Sequence, residues 1–265
     1  MGKGTESMTF EDFAYQHGLI IENLVMDRWA RVKTLDKPTK TNGAYIFDGV
    51  GGAVINFATM ESHAPYKTDK PHVIDQQKIA RVNQDRLHRQ EEARKKAVYI
   101  VKSGVLSSHP YLIRKGFTER GLVWKDLLVV TMRVGDKLVG CQLIDKDGNK
   151  KFLSGQITKG ASLVIDNKGR DIICEGYATG LSIRRALKLL RVRYKIHICF
   201  SASNMIEIAK SLNKPLVVAD NDPVGVKTAE KIASCYWVGE EGEDFNDFEA
   251  RVGSQLAGES LVKML

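Results

Sequence analysis

Residues 171–175 have the sequence Asp-Ile-Ile-Cys-Glu, a short apolar run that ends in a carboxylate. Gly176 comes next, and apolar residues then recur at helical spacing between residues 177 and 190. This pattern predicts a buried strand, a turn and an amphipathic helix. It places Glu175 at the C-terminal end of the strand.

The same pattern occurs twice more downstream. Residues 196–200, Ile-His-Ile-Cys-Phe, precede an amphipathic segment at 206–212, and residues 215–220, Pro-Leu-Val-Val-Ala-Asp, precede another at 226–232. Three consecutive strand and helix units predict an α/β fold, with a mostly parallel sheet flanked by helices. Right-handed crossovers bring the C-terminal ends of the strands to one edge, where open α/β sheets bind their ligands.

Carboxylates follow these strands, and we expect them to meet at that edge. They are Glu175, the Asp220-Asn221-Asp222 triplet, and Asp244 and Asp247 of the segment Gly-Glu-Asp-Phe-Asn-Asp. Such a cluster is costly unless a positive group sits within it, and a hard divalent cation such as Mg²⁺ prefers oxygen ligands. An alternative is that an isolated Asp-x-Asp only caps a helix, and Asp247 equally either caps the helix after Asn246 or binds metal.

Residues 171–248 resemble the Toprim domain, the catalytic module shared by bacterial and phage primases, type IA and type II topoisomerases and some nucleases. The hallmarks of that family are a Glu after the first strand and an Asp-x-Asp after the third, which match Glu175 and the pair Asp220 and Asp222. Residues 242–247 resemble the later acidic motif of phage and plasmid primases. The resemblance implies that Glu175, Asp220 and Asp222 are catalytic. It also implies that these three, with Asp244 and Asp247, bind Mg²⁺ or Mn²⁺.

Residues 107–116, Ser-Ser-His-Pro-Tyr-Leu-Ile-Arg-Lys-Gly, resemble a signature that precedes the Toprim domain in primases of phages and plasmids. Two alternating strands around Gly135-Asp136, within residues 127–144, and a basic stretch at 150–160 resemble the strand region that such primases place beside the acidic site. The resemblance implies a DNA primase, which makes short RNA primers on a single-stranded DNA template from ribonucleoside triphosphates and works with a separate replicative helicase. Candidate groups for holding nucleotide or template are Arg114, Lys115, Lys151 and Lys159.

Net charge is compatible with a nucleic-acid partner. The 265 residues include 40 Lys and Arg against 32 Asp and Glu, a formal charge of +8. Because the tail from Gly239 is acidic, the excess lies upstream, notably in a predicted helix from about Val73 to Lys102 that contains Arg94 and Lys95. A basic surface suits a phosphate backbone, although a charged amphipathic helix can equally be a solvated surface.

Cysteine and histidine spacing argues against structural zinc. The four cysteines, at 141, 174, 199 and 235, are far apart and are expected to be reduced residues of a cytoplasmic protein. A zinc ribbon needs closely spaced Cys or His pairs, so no zinc is expected, and the scattered histidines are expected in loops or on the surface. We also expect no membrane partner, because no apolar run reaches membrane-spanning length and the N-terminus lacks a signal-peptide core.

Three alternatives to a primase remain at this stage. A Toprim nuclease similar to the OLD nucleases would use the same carboxylates with water as the nucleophile. A topoisomerase would require a further domain bearing the cleavage tyrosine, for which little length remains. A catalytically vestigial module that binds DNA in the replisome would keep the basic residues and lack activity.

The sequence predicts three parts. Residues 1–70 form a small α+β unit with a helix at 10–14 capped by Thr9, two strands near residues 45 and 55, and a hairpin turn at 48–52. Residues 71–165 form a basic α+β subdomain like the polymerase core of primases, with the long helix and mixed strands. Residues 166–265 form the Toprim domain.

Overall fold

The computed structural model describes residues 8–68, 76–233 and 235–265. The chain forms two compact units, Met1–Lys78 and Ile79–Leu265. The division into three parts, with boundaries after residues 70 and 165, stays a prediction. The start of the long helix, predicted near Val73, lies outside the described residues.

The N-terminal unit is one helix packed on an antiparallel meander. Its described elements are α1 (Phe10–Gln16), β1 (Leu19–Ile20), β2 (Ala30–Thr34), β3 (Gly43–Phe47), β4 (Gly52–Asn56) and β5 (Ala64–Tyr66), with the strands in sequential order. Thr9 caps α1 by accepting the Asp12 amide, as predicted. The predicted hairpin turn is present, because the Asp48 carboxylate accepts the amides of Val50 and Gly51. Phe10, Tyr45 and Val54 form the centre of the core.

The second unit begins with the long helix α2 (Gln76–Ser103) and a second antiparallel sheet. The elements that follow α2 are β6 (Val105–Ser107), α3 (Pro110–Arg114), β7 (Gly121–Trp124), β8 (Leu127–Val134), β9 (Lys137–Ile144) and β10 (Lys150–Phe152), with strand order β10-β9-β8-β7-β6. The hairpin of β8 and β9 confirms the two strands predicted around Gly135-Asp136. Ala97 and Ile100 of α2 pack with Val129 and Cys141, so the helix covers one face of this sheet.

The C-terminal part is an α/β sheet with the predicted topology. Its elements are β11 (Leu163–Asp166), β12 (Arg170–Cys174), α4 (Tyr177–Leu189), β13 (Tyr194–Ile198), α5 (Ala202–Ala209), β14 (Leu216–Ala219), α6 (Pro223–Ile232), β15 (Tyr236–Val238), α7 (Phe245–Val252) and α8 (Ser254–Val262). The strand order is β11-β13-β12-β14-β15, and all neighbours are parallel except β11, which is antiparallel to β13. The parallel strands therefore share one C-terminal edge.

The two sheets of the second unit share a continuous core. Leu128, Val130 and Met132 of β8 belong to the same buried cluster as Ile172 of β12 and Leu181 of α4. Strand β11 crosses the boundary predicted at residue 165. A short antiparallel edge strand of this kind was missed because Leu163–Asp166 is only partly buried and carries little periodic signal.

Three further predictions concern the cysteines, the histidines and the membrane. All four cysteines are free, with Cys141, Cys174 and Cys199 buried and Cys235 exposed. His109 lies in the loop before α3, one of the two settings predicted for the histidines, but its ring is buried and caps α3 by accepting the Tyr111 amide. Among the described residues, no helix is long and apolar enough to span a bilayer.

Candidate metal and nucleotide site

A polar cavity of about 270 Å³ opens at the C-terminal edge of the parallel sheet. It is built by two parts of the second unit, since α3 and the β9–β10 turn supply one wall and the ends of the parallel strands supply the other. Its lining includes Tyr111, Arg114, Lys115, Asp147, Lys150, Thr179, Asp220 and Asp244. Acidic groups after β14 and β15 thus lie opposite basic groups from upstream elements.

Asp220 is the most perturbed acid of the cavity. It follows β14, and its Oδ1 atom is buried without a hydrogen-bond partner among the described residues. Burial and the nearby carboxylates of Asp244, Glu175 and Asp222 together raise the pKa of Asp220 to about 7, which Lys150 opposes. A buried carboxylate oxygen without a partner is costly and is a ready ligand for a cation.

Glu175 lies where the sequence predicts it, directly after β12. Burial raises the pKa of its carboxyl, and Asp222 adds to that shift, while Lys150 and a hydrogen bond from the Ala202 amide oppose it. The amide is the first of α5, so Glu175 stands at a helix N-terminus beside the other acids. The effects of the neighbouring carboxylates on the pKa values of Glu175 and Asp220 are consistent with the predicted convergence of Glu175 with Asp220 and Asp222.

Asp222 and Asp244 cap helices. The capping alternative for the Asp-x-Asp motif covers Asp222, whereas the cap at Asp244 was not predicted. Asp222 accepts the Gly225 amide at 2.6 Å at the start of α6. Asp244 accepts the Asp247 amide at 2.9 Å at the start of α7. Each cap uses the Oδ1 atom, so capping and cation binding through the other oxygen are compatible. The Asp244 Oδ2 atom already lies 3.7 Å from the ammonium of Lys115.

The predicted cap at Asp247 is wrong. Helix α7 starts at Phe245, and the cap is Asp244, so Asp247 lies in the first turn with its amide donating to that cap. The sequence interpretation placed the helix start too late, because Phe245 and Asn246 are buried against the core instead of preceding the helix. Asp247 is largely exposed, and its Oδ1 atom pairs with Lys115 at 3.2 Å.

Three cations from two upstream elements, the C-terminal end of α3 and strand β10, line the cavity. Arg114 donates to the Lys146 carbonyl at 2.7 Å, which holds the β9–β10 turn against α3. Lys115, directly after α3, pairs with Asp244 and Asp247. Lys150 of β10 lies close enough to Glu175 and Asp220 to oppose the rise in both pKa values. The cavity thus holds fixed positive groups beside buried negative ones.

Lys115 is held in place by a buried network behind it. Asn246 donates to the Lys115 carbonyl at 3.0 Å, and Arg185 donates to the Gly116 carbonyl at 2.6 Å. Arg185 also pairs with buried Glu249 through two hydrogen bonds of 2.6 Å. Burial alone would raise the pKa of Glu249, but hydrogen bonds from Arg185 and neighbouring serines keep it below its ordinary value. The network fixes α3 to the Toprim helices.

Four predicted basic residues do not line this cavity. Lys151 points to the opposite side of β10 from Lys150 and is exposed. Lys159 is exposed and its ammonium lies 3.5 Å from Glu207. Arg94 and Lys95 lie on α2, where they pair with Glu91 and Glu92 one turn earlier.

Several residues of the cavity were not predicted from the sequence, among them Lys150 and Tyr111. Lys151 was predicted instead of Lys150, because the local sequence does not show which side of the short strand β10 faces the cavity. In the structure Lys150 shares a side of the strand with Phe152, whose ring packs edge-on against Phe200. Tyr111 was quoted only as part of a motif. Burial and then the charge of Asp244 raise its pKa to about 12, so its hydroxyl remains a hydrogen-bond donor in the cavity.

Asp220 and Asp244 line the cavity, and Glu175 and Asp222 are close enough to Asp220 to raise its pKa. Among the described residues, no group of three or more His, Cys, Asp or Glu side chains is arranged as a ready metal site. The donor set nevertheless suits a hard cation, because it consists of carboxylate oxygens and includes the partnerless Oδ1 atom of Asp220. Loading the site requires side-chain movement by Glu175, Asp222 or Asp244.

The fold and the edge cavity define a class of protein: an α/β domain with acids on the C-terminal edge of a parallel sheet. Residues 170–255 match the sequence family described as the Toprim domain. No curated protein and no solved structure matches the chain. The chain therefore contains a Toprim domain, a module that typically binds Mg²⁺ and fits primase, nuclease or topoisomerase-like functions.

Proposed function

We propose that the protein is a DNA primase, which uses Mg²⁺ or Mn²⁺ to join ribonucleotides into short primers on single-stranded DNA. The observation that carries the proposal is the mixed lining of the edge cavity. Acids of the Toprim strand ends, Asp220 and Asp244, face Arg114, Lys115 and Lys150 from the upstream subdomain. Nucleotidyl transfer needs such a combination, since a triphosphate and a metal must be held together.

The upstream contribution favours a primase over the other Toprim functions. Arg114 and Lys115 end the motif that resembles the primase signature, and both line the cavity. A nuclease needs acids and water at this edge but no fixed cations for a nucleoside triphosphate. We propose that Lys150 and Arg114 bind the triphosphate and that Lys115 exchanges its carboxylate partners for phosphate when substrate binds.

The acidic residues are proposed to bind the metal ion and to act on the reacting groups. Asp220, Asp222 and Asp244 would hold the divalent ion, which when bound lowers the pKa of the attacking hydroxyl and stabilises the leaving pyrophosphate. Glu175, partly buried beside them, would lie near the reacting phosphate as a base or as a ligand through water. Asp247 would keep Lys115 close to the cavity through its ion pair.

The test is a primer-synthesis assay with ribonucleotides, several single-stranded templates and either Mg²⁺ or Mn²⁺. We expect the parent protein to make short RNA products and Asp220→Asn to make none. Asp136→Asn is the matched control, because Asp136 is an exposed acid in the turn between β8 and β9. Retention of full activity by Asp220→Asn would overturn the proposal.

The same samples separate the alternatives. Labelled DNA incubated without ribonucleotides detects a nuclease, which would shorten the DNA in a reaction that also depends on Asp220. A vestigial DNA-binding module would show neither reaction. In that case Glu175→Gln would leave the protein's function intact, whereas removal of the basic residues would abolish it.

A further inference from the structure

We propose that the outer face of the N-terminal sheet binds single-stranded nucleic acid by stacking bases on Trp29 and Phe57. This inference concerns residues 8–68 alone and does not depend on which reaction the Toprim domain performs. It is argued from side-chain direction, exposure and ring contacts in that unit.

The strand register identifies the outer face. Ala30 and Val32 of β2 pack on the core with Phe10, so Arg31 between them points to the other side of the sheet. Arg31 is paired with Ala44 of β3, and Ala44 is paired with Ile55 of β4. These three residues therefore form a row across the face that α1 does not cover.

Phe57 contacts Arg31 of this row, and Trp29, two residues before Arg31, lies on the same side if the alternation of β2 is continued by one residue. The Arg31 guanidinium lies 4.4 Å from the centre of the Phe57 ring, and the Trp29 ring lies 4.9 Å from His63. Ala44 and Ile55 are buried, whereas Trp29 is 49% and Phe57 48% exposed. The Trp29 and Phe57 rings therefore project beyond their buried neighbours, and about half of the surface of each of these two side chains is accessible to a ligand.

The exposure of these rings needs an explanation. A tryptophan and a phenylalanine each lose favourable burial when half of their surface stays in water. Most other aromatic residues of this unit, such as Phe10 and Tyr45, are packed in the core, whereas Tyr15 is exposed on α1. Trp29 and Phe57 instead lie where a flat ligand could cover them.

The charge next to the rings favours a phosphate-bearing ligand. Arg31 is directed at Phe57 and at the Thr41 carbonyl, which it reaches at 2.8 Å, and no carboxylate among the described residues forms an ion pair with it. Lys33, two residues along β2, is on the same face and pairs with exposed Glu22. Aromatic rings that stack on bases, beside cations that contact phosphates, are the usual means of binding single strands.

The same features predict selectivity for single strands. Basic and acidic residues nearly balance within residues 8–68, so this unit has no broad positive surface for duplex DNA. Stacking requires unpaired bases. We therefore expect the face to bind single-stranded oligonucleotides of any sequence in preference to duplex.

The test uses the full chain in EDTA, so that the metal-dependent site contributes nothing. Binding of a fluorescein-labelled thymidine 20-mer is followed by anisotropy for the parent, Trp29→Ala, Phe57→Ala and Arg31→Ala. We expect each aromatic change to raise the Kd by about 10-fold. Tyr15→Ala is the matched control, because Tyr15 is an equally exposed aromatic on α1 and its loss is expected to leave the Kd unchanged.

Two direct readouts guard against variants that fail to fold. The oligonucleotide should quench tryptophan fluorescence in the parent, and most of that quenching should be lost in Trp29→Phe, a conservative change. Photo-crosslinking with iodouridine oligonucleotides should label peptides that contain Trp29 or Phe57. Crosslinks confined to residues 79–265 would overturn the proposal, as would an unchanged Kd in both Trp29→Ala and Phe57→Ala. The exposed rings would then be better explained by a protein partner.

Discussion

The edge cavity and helix α2 both carry many charges, but they use them differently. On α2, Arg94 and Lys95 are balanced by Glu91 and Glu92 one turn earlier, and the pairs are solvated. In the cavity, Asp220 is partly buried, its Oδ1 atom has no hydrogen-bond partner among the described residues, and burial and neighbouring acids raise its pKa to about 7. The comparison shows that a charged group held in an unfavourable environment, with a shifted pKa, indicates a functional site better than a large number of charged residues does.

The largest effect of a substitution in the edge cavity is expected at Asp220. Asp220→Asn should lower metal-dependent activity by roughly 1,000-fold, because a bound metal ion supplies several kcal/mol of transition-state stabilisation. It should also remove the rise in melting temperature that Mn²⁺ produces in the parent. Asp136→Asn should retain both activity and the Mn²⁺ effect. An Mn²⁺ shift that survives in Asp220→Asn would show that the ion binds elsewhere.

Without metal, the same substitution should stabilise the protein. The folded-state pKa of Asp220 is raised from 3.8 to about 7, so folding favours the protonated acid, and stability is lost as pH rises between these values. At pH 8.5 in EDTA, Asp220→Asn should therefore be more stable by up to about 3 kcal/mol. The gain should shrink as the pH is lowered towards 4.

Urea unfolding of the two proteins at both pH values measures this effect. Asp136→Asn again serves as the control, because an exposed acid gives no comparable gain. If the parent protein is as stable as Asp220→Asn at pH 8.5, the ionised carboxylate of Asp220 does not destabilise the folded protein, and the prediction is wrong.

Neighbouring lysines on β10 offer a finer comparison. Lys150 lines the cavity and acts on Glu175 and Asp220, whereas Lys151 is exposed on the opposite side of the strand. Lys150→Ala should reduce kcat/KM for primer synthesis by about 10-fold, through loss of one charge-assisted contact. Lys151→Ala should remain close to the parent in steady-state assays. Equal losses in the two variants would indicate a general electrostatic effect.

Sequence periodicity was sufficient to predict the Toprim sheet and the strand ends that carry Glu175 and Asp220. Strongly apolar strands followed by amphipathic helices leave few alternatives for the topology, and the topology fixes the edge. The choice between Lys150 and Lys151 depended on which way a short, exposed edge strand faces. That orientation is set by tertiary packing of Phe152 near Phe200, which local pattern does not contain.

The position of α3 was equally inaccessible to sequence reasoning. Its motif could be recognised, but its place beside the acids depends on contacts between distant residues, such as the bond from Asn246 to the Lys115 carbonyl. Asp222 and Asp244 show a further limit. The sequence offered capping and metal binding as alternatives for the Asp-x-Asp motif, whereas Asp222 caps α6 through Oδ1 and keeps Oδ2 outside that cap. Asp244 caps α7 through Oδ1, which was not predicted, and its Oδ2 atom lies 3.7 Å from the Lys115 ammonium.

The smallest effect is expected on helix α2. Arg94→Ala should change the free energy of unfolding by no more than about 0.5 kcal/mol, because an exposed pair one turn apart contributes little. If α2 contacts DNA only through its general charge, the variant should weaken DNA binding a few-fold at low salt and not at all at high salt. Anisotropy measured across a salt series separates these cases. If Arg94→Ala causes a large loss of DNA affinity that persists at high salt, α2 makes specific contacts with DNA. The contrast drawn between α2 and the edge cavity would then be wrong.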